Sequence, residues 1–155
     1  MSPERPHRLL FVCSGNLCRS PMAAGFAGAI AQVRGIPVEI DSAGTLNLVD
    51  RPPPPNAIAV MRQRGISIEH HRSKGLTPQH IAWADHVLVM TLQHASAAHS
   101  LDPTAGGKVK LLGPFGGQRP EIEDPMGRWR YVYRRVRDQI EVAVDGLLTR
   151  LTEDA

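Results

Sequence analysis

A chain of 155 residues, 42% hydrophobic and 21% charged, is long enough to bury a core and reads as one domain over residues 1–155. Its net charge of +3 and pI near 9.2 favour anionic partners but supply no dense basic run, so no nucleic-acid partner is expected. No stretch approaches the roughly 18 apolar residues of a membrane span, and the N-terminus, broken at Pro3 and Pro6 and charged at Glu4, Arg5 and Arg8, lacks a signal-peptide core; no membrane partner and a cytoplasmic location are expected.

Residues 8–12 form a short apolar run, read as a buried strand, and a loop follows over residues 13–19. A helix is predicted from Ser20, with Ala23, Phe26, Ala27, Ile30 and Val33 on one face, Pro21 in the first turn and Gly35 and Pro37 at the end. Residues 38–40 read as a second strand entering a turn, Asp41-Ser42-Ala43-Gly44-Thr45. Prolines 52–55 make a stiff connector into a helical stripe of Ala57, Val60 and Met61 that stops at Gly65. Thr77-Pro78 opens a short helix with Thr77 as its cap. Residues 87–90 are a third strand, followed by a helix rich in Ala and His in which His94 and His99 are read as surface residues. Residues 108–112 alternate as a fourth, edge-like strand. A Gly/Pro-rich loop leads to a last helix over about 129–151, with Val132, Val136, Ile140, Ala143 and Leu147 facing inward. Strands alternating with helices predict an α/β fold: a three-layer sandwich, its four-stranded parallel sheet covered by helices on both faces.

The chemistry concentrates in Cys13-Ser14-Gly15-Asn16-Leu17-Cys18-Arg19-Ser20, between a strand and a helix. A compact loop entering a helix N-terminus turns backbone N–H groups into one concavity, which suits a phosphate. Gly15 and Asn16 tolerate left-handed backbone, and Arg19 offers a planar fork to two phosphate oxygens. Cys13 stands where that positive field is strongest, as a nucleophile would, and the Ser20 hydroxyl can donate to it. The loop lacks the Lys-Ser/Thr ending of a nucleotide-binding loop and the Cys-x-x-Cys spacing of a thiol oxidoreductase. Two cysteines five positions apart make no disulfide framework; in a reducing compartment such a pair is catalytic or redox-active. Asp124-Pro125 supplies a proton donor for a leaving oxygen. Asp102-Pro103 repeats the dipeptide and is its rival; it precedes the fourth strand, on the side where a turn function suffices, so the pattern favours Asp124 and leaves Asp102 open.

These residues resemble the low-molecular-weight protein tyrosine phosphatases, especially the small bacterial ones. The resemblance runs over almost the whole chain: residues 13–21, the turn at 41–45, His71 with Ser73 and Lys74 before Leu76-Thr77, the strand at 85–91, and Asp124-Pro125. It implies Cys13 as nucleophile, Arg19 as phosphate ligand and Asp124 as general acid. It implies phosphate binding by Ser14, Gly15, Asn16, Leu17, Cys18 and Arg19, and bracing of the loop by Asn16, Ser20, Ser42 and His71. No metal or other cofactor is implied, and the expected partner is a phosphorylated protein. A catalytically silent phosphopeptide-binding module on the same scaffold is the alternative from another class.

The same resemblance frames specificity. Many members carry aromatics directly after Asp-Pro; here Met126 and Gly127 stand there, with Trp129 slightly later and Leu46 after the Ser-Ala-Gly turn, so Leu46, Met126 and Trp129 are the expected pocket wall. The protein-arginine phosphatases share the Asp-Pro-x-Gly segment but carry a Thr where this chain has Leu17. An apolar branched side chain suits a phenyl ring and leaves guanidinium N–H groups unpaired, so phosphotyrosine is preferred to phosphoarginine. The related arsenate reductases need a further cysteine, and none follows Cys18. Cys13 and Cys18 are an expected redox pair, able to close a disulfide if their Cα atoms come within about 7 Å; packing of the loop is the other role open to Cys18.

Overall fold

The computed structural model describes residues 5–153, so Pro3 and Glu4 of the N-terminal reading lie outside the described residues. Strand β1, His7–Cys13, alternates so that Leu9, Phe11 and Cys13 face one side of the sheet while Leu10 and Val12 face the other. Both sets are buried, which is why the segment is apolar without a break. Helix α1, Arg19–Arg34, begins directly after the loop and ends at Gly35, whose φ of 68° provides the left-handed cap. Strand β2, Val38–Gly44, α2, Pro55–Arg62, α3, Pro78–Trp83, β3, His86–Val89, and α4, Leu92–Leu101, follow; β4, Val109–Leu111, and α5, Arg130–Glu153, complete the order.

The sheet order is β2-β1-β3-β4 and every pairing is parallel. Met22, Phe26, Met61, Val136 and Ile140 from α1, α2 and α5 pack with Leu9, Phe11 and Leu88 on one face. Ile81 and Ala98 from α3 and α4 pack with Leu10, Val12, Val87 and Val89 on the other. The result is the expected three-layer α/β sandwich with its loop after the first strand. Because β1 is central, with β2 on one side and β3 on the other, the chain reverses its direction of travel at the carboxyl end of β1. A crevice opens at such a switch point, and Cys13 sits there.

The structure departs from the sequence reading at one element boundary and in the burial of two side chains. Val33 is 88% exposed instead of facing inward, although Ala31 and Ile36 on either side of it are buried. Asp41, Ser42, Ala43 and Gly44 continue strand β2 instead of turning; they pair with Leu10, Phe11, Val12 and Cys13. Gly44, at the end of this stretch, lets the backbone of the loop after β1 close over it. His94 is buried, not on the surface, and its consequence belongs to the site.

Gly44 is the position in this stretch where the close approach requires a glycine. A Cβ built there would stand 2.6 Å from the Ser14 carbonyl oxygen and 2.9 Å from the Asn16 nitrogen, both backbone atoms that cannot rotate away. Gly44→Ala is expected to cost about 1–3 kcal/mol as overpacking. For a chain of this size that is a drop of roughly 2–12 °C in Tm. A calorimetric scan reads it, and an unchanged Tm would show that the loop can move aside.

Candidate active site

Asn16 organises the loop. It is fully buried and adopts a left-handed φ of 57°. Its Oδ1 accepts the Lys74 backbone N–H at 3.0 Å, which fixes the orientation of the amide because that partner can only donate. Its Nδ2 then donates to Ser20 Oγ at 2.7 Å and Ser42 Oγ at 3.0 Å. Since Ser20 Oγ accepts from Asn16, its own proton is free for Cys13 Sγ, 3.0 Å away. His71 Nε2 donates to the Asn16 carbonyl at 2.7 Å, and burial lowers the His71 pKa despite that bond. The loop is also stitched to the end of β2: Thr45 N–H donates to the Cys13 carbonyl at 3.0 Å and Leu46 N–H to the Ser14 carbonyl at 2.9 Å.

Among the described residues, no backbone N–H of residues 14–18 has an acceptor. Unpaired donors gathered in a concavity at a helix N-terminus form an anion site. Arg19 closes it. It is 3% exposed; Nη1 donates to the Ile122 carbonyl at 2.9 Å, Nη2 to Ser14 Oγ at 3.3 Å, and Nε is buried without a partner. Asp124, about half exposed, holds Oδ2 3.7 Å from Arg19 Nη2 while its Oδ1 accepts the Met126 N–H at 3.0 Å. A cleft of about 120 Å³ stands over Cys13, walled by Leu17, Leu46, Leu48 and Met126 with Asp124 at its edge. A buried thiol, an unfilled ring of donors, a guanidinium and a carboxylate together can accept a phosphate, attack it and protonate what leaves.

The fold thus gathers Cys13, Arg19, Asp124, Asn16, Ser20, Ser42 and His71. Asp102 is elsewhere: it ends α4 and accepts from Thr104, a turn role. Trp129, expected in the pocket wall, is 76% exposed and outside the cleft lining; Leu48 takes that place. The last helix begins after Trp129, so this side chain projects from the turn and not back over the loop. Both thiols are free, and Cys18 Sγ faces the Tyr133 hydroxyl at 4.0 Å, with burial pushing the Cys18 pKa up to about 12.

A model of the low molecular weight phosphotyrosine protein phosphatases matches residues 8–155. The chain belongs to this family. It is 40% identical to a protein-arginine-phosphatase of Geobacillus stearothermophilus over 94% of this chain and 97% of that one. It is 32% identical to the low molecular weight protein-tyrosine-phosphatase Etp of Escherichia coli K12, over 99% and 95% of the two chains. The solved low molecular weight protein tyrosine phosphatase of T. tengcongensis superposes with a TM-score of 0.88 at 34% identity, covering 93% of this chain and 99% of that one.

One residue of the phosphatase site escaped the sequence. His94 is 3% exposed and its Nε2 lies 2.8 Å from Ser14 Oγ. Its i+4 neighbour Ala98 is also buried, and that two-residue stripe on α4 was the available signal. Burial first, then the Arg19 charge, lower the His94 pKa to about 4, with Asp124 and Glu121 opposing. The sign follows from proton counting. Below about pH 6.5 the unfolded chain binds a proton that the folded chain refuses, so this stability is intact above that pH and is lost toward pH 4. The full loss is about 3 kcal/mol. Urea unfolding at about pH 7 and about pH 4 should show wild type losing that much more than His94→Gln; parallel losses would mean that His94 titrates normally in the fold.

Proposed function

We propose that this chain is a metal-independent protein tyrosine phosphatase that hydrolyses phosphomonoesters through a phosphocysteine on Cys13. One observation carries the reading: over a loop of unpaired N–H groups, Arg19 and Asp124 stand 3.7 Å apart at the cleft that holds Cys13. The domain is taken as residues 1–155, supported by the family match over 8–155. The free thiols suit a reducing compartment, and the reading carries a cytoplasmic location with it.

In this reading the phosphate dianion accepts from the N–H groups of Ser14, Gly15, Asn16, Leu17 and Cys18 and from Arg19. Cys13 thiolate attacks phosphorus in line with the ester oxygen. The P–O bond breaks as the P–S bond forms, and Asp124 gives its proton to the leaving oxygen. Asp124 carboxylate then takes a proton from a water that attacks the phosphocysteine, releasing phosphate and the thiolate. The donors are in place before charge develops, so stabilisation comes from preorganised electrostatics. Ser20, oriented by Asn16, supports the sulfur when it leaves. Cys18 completes the proposed redox pair: peroxide takes Cys13 to a sulfenic acid, and the Cys18 thiol displaces water to form the disulfide. Its raised pKa makes it a slow attacker at neutral pH.

Phosphotyrosine is the favoured substrate because the cleft walls, Leu17, Leu46, Leu48 and Met126, are apolar and suit a ring. The second reading, phosphoarginine, rests on the 40% identity to the Geobacillus arginine phosphatase. Against it, Leu17 offers no partner to a guanidinium N–H.

Release of p-nitrophenol from p-nitrophenyl phosphate in EDTA separates an enzyme from a silent phosphopeptide binder. Cys13→Ser should abolish turnover yet still bind phosphate, and more than a few per cent residual kcat, set against the expected failure of a poorly ionised hydroxyl, would remove the nucleophile assignment. Asp124→Ala should slow poor leaving groups by about 10²–10⁴-fold and good ones far less; the same dependence appearing in Asp102→Ala instead would move the acid.

Matched peptides bearing phosphotyrosine or phosphoarginine test the substrate. We expect kcat/KM to favour phosphotyrosine, and Leu17→Thr to shift the ratio toward phosphoarginine by about tenfold, the scale of one polar contact. A wild type that prefers phosphoarginine overturns the assignment.

A further inference from the structure

Among the described residues, two hydrogen bonds anchor the Arg19 guanidinium, beside the longer ion pair to Asp124. One is to the Ile122 carbonyl, at 2.9 Å from Nη1; the other is to the Ser14 hydroxyl, at 3.3 Å from Nη2. Nε, buried and without a partner among the described residues, is left for a phosphate oxygen. The first anchor is backbone and rigid. The second is a rotor: a serine hydroxyl has three staggered positions, and the bond to Nη2 requires one of them. With one anchor alone, the guanidinium could swing about the Ile122 contact and carry Nε out of register with the loop.

His94 removes that freedom. Its Nε2 lies 2.8 Å from Ser14 Oγ. The ring is itself held, since His94 is 3% exposed and sits in the first turn of α4, where its backbone N–H donates to the capping Thr91 Oγ1 at 3.3 Å. A capped helix on one face of the sheet therefore reaches, through Ser14, an arginine on the helix of the other face. His94 is not part of the wall over Cys13, and the hydrogen-bond partner of its ring is the Ser14 hydroxyl and not Cys13, Arg19 or Asp124.

We infer that His94 is a positioning residue for phosphate recognition, holding the plane of the Arg19 guanidinium through the Ser14 hydroxyl. The inference rests on the phosphatase reading for its biological meaning, but its physical content is affinity for phosphate. An exposed histidine, or one packed only for its bulk, would have no reason to be coupled to Ser14.

The experiment measures inorganic phosphate affinity by calorimetry and kcat and KM on p-nitrophenyl phosphate, in wild type, His94→Ala, His94→Gln, Ser14→Ala and the double variant His94→Ala/Ser14→Ala. Misplacing a binding group can cost up to about 10²-fold, and partial loosening should weaken phosphate about tenfold in His94→Ala. KM should rise with it, because Arg19 binds the phosphate in the ground state as well. A glutamine amide nitrogen falls near the position of the ring Nε2, so His94→Gln should recover most of the affinity. The double variant should be no weaker than Ser14→Ala, since His94 acts only through Ser14. A merely structural role would give equal losses in His94→Ala and His94→Gln, and losses that multiply in the double variant; either result overturns the inference, as does wild-type affinity in His94→Ala. If His94→Ala does not fold, Ser14→Ala alone decides: it must weaken phosphate by a similar factor, and unchanged affinity refutes the coupling. A wild type that binds phosphate without turning over p-nitrophenyl phosphate counts against the phosphatase reading and leaves these affinity comparisons standing.

Discussion

The site depends on the buried amide of Asn16. A seven-residue curl with its N–H groups pointing inward is intrinsically unstable, since it forgoes every local hydrogen bond those donors could make. Asn16 supplies the compensation from behind. It fills the left-handed position that aims its neighbours' N–H groups inward, and its side chain bonds outward to Ser20, Ser42 and the Lys74 backbone. Each such bond contributes about 1 kcal/mol net, but leaving any of these buried partners unpaired costs more. The strained conformation persists because α1, β2 and the segment around His71 over-determine it.

That brace needs the sheet to bring its parts together. Ser42 reaches Asn16 because Asp41–Gly44 stays in strand register with β1, and Gly44 lets the loop backbone lie directly against it. His71 and Lys74 arrive from a connection that would have no reason to be ordered by its own sequence; the parallel bridge between Gly44 and Gly75 locates it. The support for the loop thus comes from three separate stretches of chain, and the bracing side chains themselves, Ser20, Ser42, His71 and Lys74, stay out of the cleft wall above the sulfur.

The architecture and the central loop were legible because their signals are local. A strand of unbroken apolar residues, a loop of special backbone positions, and Pro21 in a first helical turn all lie within fifteen residues of one another. The strand at 41–44 was not legible, since Asp, Ser, Ala and Gly are turn formers by composition and only pairing with β1 makes them extended. Val33 obeys the helical period and is nevertheless exposed, because the period says which face it is on and not whether anything packs against that turn. His94 failed for the converse reason. Its neighbours in sequence are mostly small or polar, so only the pair His94 and Ala98 at helical spacing marks that face of α4, and it is the contact with Ser14 that buries the ring. Trp129 was placed in the cleft by proximity in sequence to Asp124, yet the turn at Pro125–Arg128 directs the chain away.

The charge of Arg19 explains why its supporting partners are neutral. A guanidinium that is 3% exposed would ordinarily be compensated by a buried carboxylate. Here its close partners are a carbonyl and a hydroxyl, and the carboxylate that pairs with it among the described residues, that of Asp124, is half exposed and 3.7 Å away. Polar contacts of this kind orient the cation without cancelling it, so its field remains directed at the loop. A second carboxylate in place of Ser14 or His94 would stabilise the empty protein and compete with phosphate for the same charge. A protonated His94 would also be tolerated poorly, because it would add repulsion to the cost of burial, and these are the two effects that keep the ring neutral. In the proposed reading the chain therefore carries an electrostatic debt in the ligand-free state, a buried positive charge and a ring of unpaired N–H groups, that a bound phosphate dianion relieves. Because the donors are already oriented, little of that binding energy is spent on reorganisation, and the same fixed field acts on the charge that develops as the P–S bond forms.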